Sequence, residues 1–264
     1  MREQTWNERH PHTEHYRWFQ DLMDLHALTQ SWFRELNIDQ GSEEYQFKRV
    51  SAPDVKKNLR ILSNLTQSSV PSDFETYLDD SYPEEFLARL EQTVWIVQAW
   101  SLKSILEKTP KKEVSALLNV LEKSSWKAGQ VCLRKRWPDL AKKKETDIRV
   151  LVALFQDSPF SGFPGRRAFL IRRAVTDELS VHLLACPHQK KYLEVQATAD
   201  ELCRLHHHWM HGFAYGVNHQ IAAEYTSHTP SKIKKNAPVD QSQKDIMRPY
   251  CIQRWFYHQS TPSP

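Results

Sequence analysis

The stretch that decides the fold is Ala197–Gly216, "ATADELCRLHHHWMHGFAYG", followed directly by Asn218–His228, "NHQIAAEYTSH". In the first segment Leu202, Leu205, Trp209 and Phe213 recur at the spacing of one helix face. Thr198 or Asp200 is placed to cap its start and Gly216 to stop it. In the second, apolar and polar residues alternate, the period of a strand with one covered face. A helix running straight into a strand, with "RPYCIQRWFYH" (Arg248–His258) as a further strand beyond the Pro- and Lys-rich stretch Pro230–Arg248, predicts a helix packed on an antiparallel sheet.

The pattern extends upstream. "RAFLIRRAV" (Arg167–Val175) and "LSVHLLAC" (Leu179–Cys186) are rich in branched and aromatic residues and are separated by the polar "TDE", which predicts a hairpin. Before Ser158–Gly165, "SPFSGFPG", the chain changes character. Only Gly41 and Gly129 of the six glycines lie there, and apolar residues recur at helical spacing over Tyr16–Leu36 and Pro83–Leu106. Further helices are expected over Pro53–Leu65, Lys112–Arg136 and Asp139–Phe155, with breaks at Ser68–Asp73 and Ser158–Gly165. The expected fold class is α+β, a helical N-terminal half followed by a small antiparallel sheet packed on helices. The expected division is a helical extension over residues 1–110, an α+β domain over 111–258 and a tail over 259–264.

Composition fits a folded chain. Of 264 residues 40% are hydrophobic, nine are Trp, and no apolar run approaches the ~20 residues needed to span a bilayer. No membrane is expected as a partner, and with no apolar leader near Met1 the cytoplasm is the default compartment. Four cysteines are too few for a disulfide scaffold, so thiols are expected to be available for metal binding or catalysis. The net charge of +4 comes from 36 basic and 32 acidic residues. The runs Lys142–Lys144 and Lys232–Lys235 read as solvated surface, and nucleic acid is not the expected partner.

On the Ala197–Gly216 helix, steps of 100° place Cys203 and His206 inward or at the core margin. They send Arg204, His207 and His211 toward solvent and leave His208 between. Alternation puts Glu224, Thr226 and His228 on one strand face and Ile221, Ala223 and Tyr225 on the other. Cys251 shares a face with Trp255 and Tyr257. Thiolates, a carboxylate and an imidazole are a ligand set that zinc accepts. The same residues read equally as a core histidine, a salt-bridged strand glutamate and small buried hydrophobes, the last being the reading for Cys132.

The order of these features, with "LLACPH" closing the second strand, resembles the 2-aminothiazoline-4-carboxylic acid hydrolase family. It is also similar to the related vinyl-reductase-type domains that sense ligands. The resemblance spans about Ser124–Tyr257. It implies a small organic ligand, possible homodimerisation, and a zinc site, with iron the other candidate, on Cys203, Glu224 and Cys251. Ser227 stands where a further Cys would be, so His228, His206 or water would complete the site. Two chemistries follow from it. One is hydrolysis of a cyclic amidine or thiazoline C–N bond by metal-bound water with His206 or His228 as proton carrier. In the other, without metal, Cys203 or Cys186 is the nucleophile with a nearby His as base, His188 being close to Cys186 in sequence. A ligand sensor or protein-interaction module, with structural zinc or no metal, is the non-enzymatic counterpart.

Overall fold

The structure, a computed structural model, describes residues 13–38, 83–143, 147–156, 169–174, 177–183, 199–227 and 251–257. The helix expected over Pro53–Leu65, both expected breaks and the Pro230–Arg248 connection lie outside these residues. Among the described residues the order is α1 (Thr13–Glu35), α2 (Pro83–Lys108), α3 (Val114–Arg136), α4 (Pro138–Lys143), α5 (Val150–Gln156), β1 (Phe169–Ala174), β2 (Glu178–Leu183), α6 (Ala199–Val217), β3 (Ile221–Ser227) and β4 (Cys251–Tyr257). This is the expected α+β arrangement, helices first and then a small antiparallel sheet carried on helices.

Several boundaries have identifiable causes. Trp137 ends α3 at φ −133°, ψ 65° because Pro138 follows it and disfavours the helical conformation at the preceding residue. The single helix expected over Asp139–Phe155 is divided into α4 and α5. The Asp147 carboxylate accepts the Arg149 backbone N–H at 2.8 Å, and the Ile148 N–H goes to the Tyr257 hydroxyl at 2.8 Å, so a new helix starts there. Gly216 does not stop α6, which runs on through Val217. The chain turns at Asn218, whose Oδ1 accepts the Gln220 N–H at 2.9 Å.

Contacts fix the helix directions. His15–Glu84 and Thr29–Gln98 advance together, so α1 and α2 are parallel. Trp32–Ser125, Asp24–Cys132 and Asp21–Arg136 run in opposite senses, so α3 is antiparallel to α1. Glu122 meets Arg204 and His208, Trp126 meets Gly212 and Leu133 meets Gly216, which makes α3 and α6 parallel. That last crossing is very close. A Cβ added at Gly129 would overlap the Trp209 carbonyl oxygen, and one at Gly212 would overlap that of Trp126. Glycine is required at both points because backbone packs on backbone.

The sheet has the order β1-β2-β4-β3 with every pairing antiparallel, and β1 bulges between Ile171 and Arg173. Leu179, Ile221 and Trp255 enter one core with Leu22 and Trp32 of α1, Leu90 and Trp95 of α2, Leu133 of α3 and Trp209 and Phe213 of α6. The boundary expected at residue 110 falls between α2 and α3, and the helices on both sides of it share this core. Trp32, Trp95, Trp209 and Trp255 are all but completely buried, as expected of large apolar side chains at helical or strand spacing. No helix among the described residues is long and apolar enough to cross a membrane.

Candidate functional site

Helix α6 is covered on three sides, and its three consecutive histidines take one side each. His206 reaches α2, His207 lies against β3, and His208 reaches α3. Neighbouring residues on a helix differ by about 100°, so three in a row can all find partners only on a helix covered over most of its circumference. His207 and His211 were expected toward solvent. Instead His207 is buried with its ring stacked on Tyr225 at 5.1 Å, and the half-buried His211 ring stacks on His207 at 6.5 Å. Strand β3 covers a face whose polarity marked it as outer. Arg204 does face solvent, while its Nε pairs with the buried Glu122 at 2.6 Å, as does His208 Nε2 at 3.2 Å.

The inner polar seam starts at His206. Its Nε2 lies 2.7 Å from Gln98 Oε1, an acceptor, so Nε2 carries the proton. Gln98 Nε2 then donates to Thr29 Oγ1 at 3.2 Å, and Thr29 Oγ1 donates to the Leu25 carbonyl at 3.3 Å. The edge of Trp95 packs on the His206 ring at 5.4 Å. One turn before Thr29, His26 Nε2 lies 3.2 Å from Gln30 Nε2, while its Nδ1 is buried with no hydrogen-bond partner among the described residues. One turn beyond Gln98, the buried Ser101 Oγ has none either. Beside this seam Trp32 Nε1 donates to Ser125 Oγ at 2.9 Å, and Ser124 Oγ to Ser31 Oγ at 3.0 Å. Burial lowers His206 to about 3 and His26 to about 4. Both are neutral donor–acceptor groups at physiological pH. Gln98→Leu, which breaks the chain at its centre, is expected to cost about 1–3 kcal/mol in urea unfolding.

A second cluster ties α1 to α3. Arg136 Nη1 meets Asp21 Oδ1 at 2.8 Å and its Nε meets Asp24 Oδ2 at 2.6 Å. Cys132 Sγ donates to Asp24 Oδ2 at 3.2 Å. Burial, with Asp24 beside it, raises Asp21 to about 7 against the opposing pull of Arg136. Burial next to Asp24 also holds the Cys132 thiol far above its usual range. Cys132 is therefore a protonated donor and no nucleophile.

Of the expected site residues, His206 is in the seam. Cys203 is partly buried on α6, one turn before His207. Register brings the backbone of Cys251 opposite Ser227, in phase with Trp255 and Tyr225. Because Tyr225 stacks on His207, Cys203 and the 227/251 pair occupy the same end of the helix–sheet interface. Glu224 is in the opposite phase, exposed on the outer face. It meets Arg254 Nη1 at 3.3 Å, and Arg254 also meets Glu178 at 3.2 Å. Glu224 is thus the central strand's salt-bridged neighbour and does not join Cys203. Cys186, His188 and His228 lie outside the described residues. Among the described residues no group of three or more His, Cys, Asp or Glu is arranged to hold a metal ion.

The seam residues Thr29, Gln98 and Ser101 were not singled out from sequence, nor was His26. The signal was there in α2: Gln98 and Ser101 continue the apolar stripe Val94, Val97 and Ile105, so polar groups sit at core positions. No protein-family model, curated protein or solved structure matches this chain.

Proposed function

We propose that this chain is a small-molecule-binding protein whose ligand is recognised by the polar seam between α1, α2 and α6. The observation that carries the reading is that His26 Nδ1 and Ser101 Oγ are fully buried without a partner among the described residues, flanking the continuous chain His206–Gln98–Thr29. A buried polar atom left unpaired costs about 1–3 kcal/mol, and a ligand in the seam would relieve that cost. Aromatic walls with a few convergent polar groups, between the helices of a bundle, are the usual character of such a site.

The proposal stops at binding. His206, lowered to about 3, is too weak a base to take a proton from water or a thiol near neutral pH. The metal set needs Glu224, which register directs to the other side of the sheet, so no step is assigned to zinc. The test is ligand-observed NMR with a panel of cyclic amidines, thiazolines and small aromatic compounds. At least one is expected to bind the intact chain and to bind Ser101→Ala about tenfold more weakly, the equivalent of one hydrogen bond. Absence of binding across the panel, or equal binding to the variant, would overturn the reading.

A further inference from the structure

The charge of the chain is concentrated. Residues 111–143 hold nine basic and three acidic residues, although the whole chain is only +4. Arg136 and Glu122 of this segment are consumed in buried pairs, with Asp21, Asp24, Arg204 and His208. Beyond the exposed Ser115, Ala116 and Asn119 of its first turns, what α3 presents to solvent is Lys123, Lys127, Val131, Arg134 and Lys135. Spaced four, four and three to four residues apart, they form a straight stripe about 18 Å long on one helix face. Lys127 reaches Glu35 at 3.3 Å, in a largely exposed pair that a competing anion can replace. Lys123, Arg134 and Lys135 have no ion-pair partner among the described residues. Val131, in the middle, is 55% exposed, the one large hydrophobic that stands out among the described residues.

We infer that this face of α3 docks an acidic helical segment of a partner protein. Charge complementarity sets the sign of the partner, and a row of cations running along a helix fits carboxylates repeating every three to four residues on a second helix. The exposed valine at the centre selects a protein over a nucleic acid. Across a phosphate backbone Val131 would face charge and water, whereas against a helix it packs on an apolar side chain of the same stripe. The surface lies on the solvent side of α3, away from the seam between α1, α2 and α6.

Fluorescence anisotropy on the intact chain tests this. The probe is a 21-residue Ala-rich helical peptide carrying Glu at every fourth position and one central Leu in line with them. Its controls are a peptide of the same composition with the Glu residues dispersed round the helix, a 20-base-pair DNA duplex and vesicles containing phosphatidylserine. The aligned peptide is expected to bind best and to lose affinity as salt rises. Binding is expected to fall at least tenfold in Lys123→Glu/Lys135→Glu and several-fold in Val131→Ser, with circular dichroism unchanged because these side chains are exposed. Equal binding of the dispersed peptide, tighter binding of duplex or vesicles, or unchanged binding by the variants would overturn the proposal.

Discussion

Gly212→Val is expected to unfold the chain or to lower its stability by more than about 4 kcal/mol, an effect at the extreme of single substitutions. At an ordinary helix position a side chain in place of glycine would help, since glycine costs about 1 kcal/mol relative to alanine. Here the added Cβ alone would overlap the Trp126 carbonyl, and across the same crossing Gly129 faces the Trp209 carbonyl. The obstacles are backbone atoms of two long helices, which cannot change rotamer, so relief requires α3 and α6 to separate and their shared core to open. Gly216 supplies the internal control. A Cβ there comes too close only to the Leu133 Cδ2 atom, at 2.7 Å, the end of a side chain that can shift, and is in ordinary contact with Leu133 Cβ and Gln130 Cα. Gly216→Ala should therefore cost about 1 kcal/mol or less. Urea unfolding of the three proteins checks the order, and a Gly212→Val protein as stable as Gly216→Ala would contradict the close crossing.

Stability is expected to fall steeply with acid, by about 3 kcal/mol per pH unit between pH 6 and pH 4. Three histidines are held neutral by burial: His26 at about 4, and His206 and His207 at about 3. In the unfolded chain each takes up a proton near its ordinary value of 6.5, so the penalty is absent above that pH and grows as pH falls below it. Asp21 works the other way. Its folded value is raised to about 7, so the folded chain keeps a proton that the unfolded chain releases above about 4, and this contribution is lost as pH rises through 7. Three protons favour the unfolded chain and one the folded chain. The net of two sets the slope at about 1.4 kcal/mol each. Urea midpoints at pH 7 and pH 5 measure it, and His207→Phe, which keeps a flat ring against Tyr225, should remove about one third to one half of the slope. Equal stability at the two pH values would contradict the burial of these rings.

How far the fold was readable depends on what each residue's neighbours contribute. Leu22, Leu25 and Trp32, or Leu202, Leu205, Trp209 and Phe213, mark their own helices, because apolar spacing is a local property. The alternation of β3 and β4 was equally plain. Which faces combine was not, because the pairing of Glu224 with Arg254 and of Ser227 with Cys251 is a matter of register between distant segments. Glu224 and Cys251 are each in the phase that their strands predict, and only the register reveals that these phases oppose one another. His207 was misjudged for a similar reason. Its own helix labels it polar, and the Tyr225 ring that buries it comes from the next element. The seam was missed because Gln98 and Ser101, read one by one, are ordinary helix residues. Their meaning appears when α1 and α6 bring Thr29 and His206 to the same level.

The most direct test of the ligand reading is a native mass spectrum of the untagged protein, purified gently and compared with Gln98→Leu. A bound organic molecule of a few hundred daltons on the intact chain, reduced or lost in the variant, is the predicted result. A spectrum showing only the bare chain, together with no thermal stabilisation by any compound of the probe panel, would contradict it and leave the seam as a structural hydrogen-bond network joining α1, α2 and α6.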